Sequence, residues 1–448
     1  MEFDVIFIGS GHANWHAAVT LQQAGKKVAI VEKDMVGGTC TNYGCDAKIA
    51  LDGPFQLIEQ LQRFKGHGVN ETPTIDWPSL MNYKHQVIDP LAPTMDQLFS
   101  QMDITMINSA ATITDAHTIQ VGTQKYTTDF IVIGTGQRPV TLAIDGQSFI
   151  HDSREFLDIP DMPQRITFIG AGVIAMEFAA MAATMGREVH IVEFSDRALA
   201  AFNPAYVSRL QTKLEQQGVQ FHFNEAVTSV TKSPDGFTVT TKNGLTLTTD
   251  YVLGAIGRIA NVEQLGLESL GIDATSRGIK VNDHLQTAVT NIFASGDVVD
   301  KLQPKLTPTA TFESNYIASV ILGNDRPISY PTIPAVAFTM PRLAEVGVSV
   351  KTAEDNPNVY RTQVVPFGKQ LAFEYKLALD AEATLVFDEA GYLVGASLYA
   401  DDADDLVNLL TMIINGHMTA NDLHQQIFAF PSATSGVIDL LVGMLPTK

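Results

Sequence analysis

Twice along its length the chain repeats one pattern: an apolar strand, a Gly-x-Gly turn, a helix with an apolar face, a second strand and a closing glutamate. The first copy runs from Asp4 to Lys33, with DVIFI as strand, Gly9 and Gly11 at the turn, Ala17, Ala18 and Leu21 at helical spacing, and KVAIVEK ending near Glu32. The second is RITFIGAGVIAMEFAAMAATMGREVHIVEF, with Gly170 and Gly172 at the turn and Glu193 closing it. In both, the glutamate stands 23 positions after the first glycine, 9 to 32 and 170 to 193. One such unit can arise by chance; two at equal spacing argue for two βαβ dinucleotide sites. The first glycine allows the tight turn, the second lets the backbone approach a pyrophosphate, and the helix N-terminus offers free N–H groups to the phosphates. Glu32 and Glu193 are then placed to accept ribose hydroxyls. Asn14 departs from the pattern, standing where a small residue usually packs helix against strand. At the second site a carboxylate favours the free 2'-hydroxyl of NAD over the 2'-phosphate of NADP, and nearby Arg197 keeps NADP as the lesser alternative.

A chain of 448 residues exceeds one ordinary core, so several domains are expected. The net charge of -20 removes the electrostatic term on which nucleic-acid or anionic-membrane binding depends. The start MEFDVIFIGSG has no basic leader, and no window has the apolar length of a membrane span, so a cytoplasmic protein is expected. Two cysteines in such a chain exclude a secreted disulfide framework and suggest redox chemistry or metal binding. The metal alternative lacks partner ligands, because no other Cys and no His shares their segment; no metal is expected.

The cysteines fall in GGTCTNYGCDAK, where Gly37, Gly38 and Thr39 precede Cys40, and Cys45 follows. Their separation exceeds one helical turn, so a bridge between them distorts the start of a helix and is easier to reduce. A helix N-terminus also draws a thiol from about 8.5 towards neutrality. Two inert buried thiols would be the alternative; the flanking glycines and the two nucleotide units weigh against it.

This run resembles the signature of the class I pyridine nucleotide-disulfide oxidoreductases, the family of glutathione reductase, dihydrolipoamide dehydrogenase and mercuric reductase. IVIGTGQRP, containing Gly134, and YVLGAIGR, containing Gly257, resemble the family's two crossovers between domains. TNIFASGDV resembles the second FAD motif, whose acid is here Asp297, and LTPTA, with Thr307, resembles the stretch that meets the flavin's pyrimidine edge. YPTIPAVAFTMPRLAEVG resembles the opening of a C-terminal interface domain. The resemblance implies FAD and NAD as cofactors, with Gly38, Thr39, Gly134, Gly257 and Thr307 among the residues that hold them. It implies Cys45 as the charge-transfer thiol facing the flavin and Cys40 as the interchange thiol facing the acceptor. It also pairs Glu177 with a lysine beside the flavin, but that lysine's position holds Ile49, and Lys48 sits one place earlier.

The pattern breaks at the C-terminus. The family's disulfide-reducing members carry a His-Pro-Thr segment and a glutamate there, and the histidine enters the partner subunit's site as acid-base. The corresponding stretch here is TANDLHQQIFAFPSATSG, with Phe430 for the histidine, Ser432 for the threonine and Ser435 for the glutamate. Such an acid-base supplies about 10² to 10⁴ in rate. Phe430 instead predicts an apolar wall near Cys40, contributed across a homodimer. Mercuric reductase also lacks the histidine but carries a C-terminal cysteine pair; this chain ends VGMLPTK. Lesser features take the plainer reading: His12 and His16 as packing near the cofactor, Asp401, Asp402, Asp404 and Asp405 as a solvated helix start, Tyr43 as pocket lining or packing, and DLVNLLTMIINGH as interface or core.

The expected architecture is α/β: two Rossmann-like domains, FAD-binding over 1–145 and 266–328 and NAD(P)-binding over 146–265, with a C-terminal α+β dimerisation domain over 329–448. The expected activity passes electrons from NADH through FAD to the Cys40–Cys45 pair and on to a small disulfide or thiol-linked acceptor. A flavin reductase acting on a metal ion, quinone or activated alkene is the alternative, and a non-catalytic redox sensor a further one.

Overall fold

The computed structural model describes residues 1–447. In the first glycine unit, strands Phe3–Ile8 and Val28–Glu32 pair in parallel, Val5 opposite Val28, and are buried almost throughout. They lie inside a sheet ordered Thr105–Asn108, Val28–Glu32, Phe3–Ile8, Gln124–Ile133, with Ile292–Ala294 parallel along the far side of the last. Near-continuous apolar strands are what a parallel sheet covered on both faces requires. The second unit repeats the plan in a five-stranded parallel sheet ordered Val219–His222, Glu188–Val192, Arg165–Ile169, Tyr251–Gly254, Ile150–His151. A three-stranded antiparallel meander, Val227–Ser233, Gly236–Thr241 and Thr246–Thr249, packs against it around Val192, Val230 and Val239. The third sheet is antiparallel, ordered Ala335–Ala337, Arg342–Gly347, Leu393–Ala400, Glu382–Phe387, Arg361–Pro366, and is covered by helix Ala403–Asn415.

The two glycine turns are equivalent in detail. Gly9 has φ +102° and a Cβ there would lie 2.6 Å from Gly134 O; Gly170 has φ +100° and its Cβ would lie 2.6 Å from Ala255 O. Each turn therefore presses on the sheet's next strand too closely for any side chain. Asn14, the apparent flaw, is fully buried and useful: its amide donates to Ile8 O at 3.0 Å and Gly9 O at 2.8 Å. Gly134 makes the room, since a Cβ there would meet the Asn14 amide at 2.5 Å.

One apolar core joins the second and third sheets to the helix after the cysteines, while the first sheet has cores of its own on its two faces. Ala47, Leu51 and Phe55 of the long helix after the cysteines join Met176 and Phe178 of the second unit's helix and Leu343 and Tyr399 of the third sheet. A buried Phe contributes roughly 1.5–3 kcal/mol, so the apolar face of the cysteine helix, with Leu51 and Phe55 at its centre, is fixed by packing. Helix Ala403–Asn415 buries Leu406, Val407, Leu410, Ile413 and Ile414, so this stretch is core rather than free face. Among the described residues no helix is long and apolar enough to cross a membrane.

Candidate active site

The two cysteines stand on different helices. Cys40 belongs to the short helix Gly38–Tyr43 and Cys45 opens the long helix Cys45–Arg63, with a break at Gly44. A Cβ on Gly44 would lie 3.0 Å from Thr39 O and 3.4 Å from Cys40 Cα, so the glycine lets the second helix fold back onto the first. Both are free thiols, Cys40 half-buried and Cys45 open, and their sulfurs are hydrogen-bonded to one another. Cys45 Sγ also lies 3.5 Å from Thr307 Oγ1. The Cys40 hydrogen bond draws Cys45 towards thiolate against the opposing effect of burial, helped by Thr307 and the Lys48 charge. The same bond and burial push Cys40 up. Of the two, Cys45 therefore carries the negative charge. The contact from Thr307 goes beyond the expectation that this residue faces only the flavin.

Lys48 reaches Glu177 despite its shifted register, with Nζ 3.4 Å from Oε1. Its ammonium also lies 3.4 Å from the Phe338 ring centroid, and Phe338 N donates to Glu177 Oε1 at 2.7 Å. Both ends are buried; burial raises the carboxyl and lowers the ammonium, while each partner opposes the other's shift.

Glu32 and Glu193, the two glutamates expected to meet ribose hydroxyls, occupy matching places. Glu32 Oε2 accepts from Ser10 N at 2.9 Å and Oε1 from Asp34 N at 2.8 Å. Glu193 Oε2 accepts from Ala171 N at 2.7 Å and Oε1 from Ser195 N at 2.8 Å. Each carboxylate is thus fixed at the tip of its strand by the turn it faces. Arg197 turns away, donating to Ala200 O and Phe202 O. Beyond Gly172 and Gly257 a Cβ would meet open space, room for a phosphate to approach the backbone. The crossovers lie side by side, Gln137–Pro139 antiparallel to Arg258–Ala260. Asp297 follows Gly296 in a short turn of helix, and burial raises its carboxyl while Lys301, Arg258 and Lys305 oppose that shift. Its carboxylate takes no hydrogen bond from the described residues, which suits it to sugar-chain hydroxyls. On these observations the residues fit a flavin dinucleotide and a nicotinamide dinucleotide.

The C-terminal break is structural as well as chemical. Ser432 and Ser435 form a reciprocal cap on helix Ala433–Val442, Ser435 N to Ser432 Oγ and Ser432 N to Ser435 Oγ, both 3.1 Å. Ser435, at the position of the family's glutamate, is thus part of a helix cap. Phe430 just before it is 75% exposed and Ile427 wholly so, as residues awaiting a partner surface would be.

One plainer reading needs correction in part, and one is resolved in favour of packing. The acidic run does open a helix, with Asp402 at the cap and Asp404 and Asp405 in the first turn, and Asp405 is exposed, but three of its members are paired rather than solvated: Asp401 with Arg63, Asp402 with Lys376 and Asp404 with Arg342. Arg342 also binds Asp52 at 2.6 Å, so the run ties the third sheet to the cysteine helix. Tyr43 donates to Asp34 at 3.1 Å while Arg154 of the second domain stacks on its ring at 3.5 Å, making it an interdomain contact. His12 and His16 do pack together, Nδ1 to Nε2 at 3.2 Å, and Thr311 joins them, a neighbour from 295 positions along the chain that no local pattern reveals.

Comparison with known proteins gives a consistent family. The model of the pyridine nucleotide-disulphide oxidoreductases matches residues 3–314, and the dimerisation domain of the same family matches 333–440. The dihydrolipoyl dehydrogenase of Geobacillus stearothermophilus is 32% identical over 96% of this chain and 94% of its own length. The glutathione reductase of a Nostoc species is 27% identical over 98% of this chain and 99% of its own. Among solved structures, the HOCl-induced flavoprotein disulfide reductase RclA of Escherichia coli superposes with a TM-score of 0.89 at 25% identity, over 99% of this chain and 100% of that one. RclA is also known as a Cu(II) complex, with a TM-score of 0.88 over 97% of this chain and 99% of that one.

Proposed function

Because the chain belongs to the pyridine nucleotide-disulphide oxidoreductase family, we propose that it is a homodimeric NADH-dependent reductase whose electrons leave through Cys40. The enzyme class, a flavin-dependent disulfide oxidoreductase, follows from the family and its relatives. The single observation that carries the finer reading is the setting of Cys45: first residue of a packed helix, with Cys40, Thr307 and Lys48 around its sulfur.

Bound FAD supplies the two-electron carrier between nicotinamide and sulfur. The FAD-binding domain is assigned to 1–145 and 266–328, with Gly9, Gly11, Glu32, Gly38, Thr39, Gly134, Gly257, Asp297 and Thr307 holding that cofactor. The second domain, 146–265, offers Gly170, Gly172 and Glu193 to the nicotinamide dinucleotide. Glu193 and the averted Arg197 favour NADH over NADPH. Lys48 and Glu177 pair between the cysteine helix and the helix of the second glycine unit. Once the pair is reduced, Cys40 passes its proton to the Cys45 thiolate and attacks the acceptor disulfide, forming a mixed disulfide and expelling one thiolate, which takes that proton from Cys45. Cys45 thiolate then attacks the Cys40 sulfur, expelling the second thiolate and restoring the bridge. No side chain of the usual type protonates the leaving thiolates, so acceptors whose thiols leave without assistance are favoured.

The test is a pair of substitutions in turnover assays with lipoamide and glutathione disulfide. Cys40→Ala should abolish turnover with every acceptor, whereas Phe430→His should raise kcat/KM for a disulfide by about tenfold or more, part of what an acid-base supplies. Full turnover in Cys40→Ala would show that the flavin passes electrons directly and sink the reading.

A second reading takes a metal ion as acceptor. The structural likeness to a flavoprotein solved as its Cu(II) complex favours it, together with the missing acid-base and a net charge of -20, which concentrates cations near the protein.

A further inference from the structure

Helix Trp15–Gln23 and helix Thr307–Ile321 pack against each other beside the cysteine segment, and three side-chain donors converge where they meet. His12 Nδ1 lies 3.2 Å from His16 Nε2, and Thr311 Oγ1 lies 3.4 Å from the first and 3.2 Å from the second. The three atoms make a nearly equilateral triangle. A histidine nitrogen binds a transition-metal ion at about 2.0–2.1 Å, so two nitrogens at this separation subtend roughly 100–105° at a shared ion, close to a tetrahedral angle. The rings are held in place: Trp15 stacks on His16 with centroids 3.5 Å apart and meets His12 edge-on at 5.7 Å. Both imidazoles remain partly exposed, leaving a coordination position open to solvent. Asp46, the residue after Cys45, is the acidic group in electrostatic reach of His12.

We propose that His12, His16 and Thr311 form a binding site for a borderline divalent cation of the Cu²⁺ class. Two imidazoles and one hydroxyl bind such ions with the preference Cu²⁺ above Ni²⁺ and Zn²⁺. Among the described residues no cluster of three or more His, Cys, Asp or Glu is arranged to hold a metal. The site is therefore a weak, open one, suited to transit rather than storage. The protein's other imidazole pair serves as a control: His190 Nδ1 and His222 Nε2 are 3.1 Å apart, but His190 is buried, its second nitrogen is bound to Glu188, and no third donor faces both rings. As a point of arrival for an acceptor ion the triangle rests on the metal-ion reading above; as a binding site it does not.

The experiment titrates Cu²⁺ into oxidised holoenzyme, where the bridged cysteines offer no thiolate, and follows bound copper by electron paramagnetic resonance. One equivalent with splitting from two nitrogens is expected, with affinity about tenfold or more weaker in His16→Gln and in His12→Gln and unchanged in His222→Gln. Flavin content and melting temperature check each variant. His12 borders the glycine turn, so if His12→Gln loses FAD, His16→Gln carries the test. Unchanged binding in His16→Gln, a loss that follows His222→Gln instead, or no bound equivalent would overturn the site. Copper that binds as expected but is never reduced with NADH would defeat the metal-acceptor reading and leave the site standing.

Discussion

At the scale of single residues, the account turns on which sulfur carries charge. Cys45 is held down to about 6 by its Cys40 hydrogen bond, Thr307 and Lys48, against burial, whereas an unperturbed thiol sits near about 8.5. A lowered thiol pKa keeps the thiolate as pH falls and loses it only below the new value. The thiolate-flavin absorbance of the reduced enzyme should accordingly persist through neutral pH and bleach near about 6. Lys48→Met removes one of the groups holding the charge, so that bleaching should move to higher pH in a spectrophotometric titration; an unmoved midpoint would show that Lys48 serves Glu177 alone. The cysteine spacing was legible in the sequence because it depends on neighbours in the chain. The reach of Lys48 to Glu177 was not, because it crosses 129 positions and is set by how the cysteine helix packs. Nor was the role of Asp401, whose partner Arg63 lies 338 positions away.

At the scale of elements, the duplicated unit was readable because periodicity and turn glycines are local, and both turns meet their neighbouring strands at the same 2.6 Å. The role of Asn14 was not legible because its compensation, Gly134, lies 120 positions along, just past strand Gln124–Ile133. The joint between the second domain and the third sheet was invisible in the sequence for the same reason. There Glu345, on strand Arg342–Gly347, accepts from Asn203 N at 2.6 Å and Ser397 Oγ at 2.5 Å, and burial pushes its carboxyl up to about 7. A raised acid binds its proton more tightly folded than unfolded, so its contribution is intact below about 4.5 and stability falls as pH rises towards 7. Glu345→Gln should remove that fall. Its melting temperature should exceed that of the unsubstituted protein increasingly between pH 5 and 8, by an amount equivalent to on the order of 2 kcal/mol at the upper end. A constant difference across that range would place the ionised carboxylate in a favourable setting instead.

At the scale of the whole molecule, the second and third sheets share one core with the cysteine helix, so the packing that positions the sulfurs comes from the second glycine unit and the dimerisation domain together. The order of these parts was legible from motifs in sequence. What the acceptor meets was not, since Phe430 and Ile427 are exposed on a single chain, and what covers them depends on the dimer proposed above. The electron path from nicotinamide to Cys45 is the central claim, and an anaerobic titration of holoenzyme with NADH, followed by absorbance, tests it most directly. A long-wavelength thiolate-flavin band should grow as two electrons enter, vanish in Cys45→Ser, and be present before any reductant in Cys40→Ser, where no bridge can consume Cys45. A flavin that bleaches fully without that band, or a band unchanged in Cys45→Ser, would contradict the account.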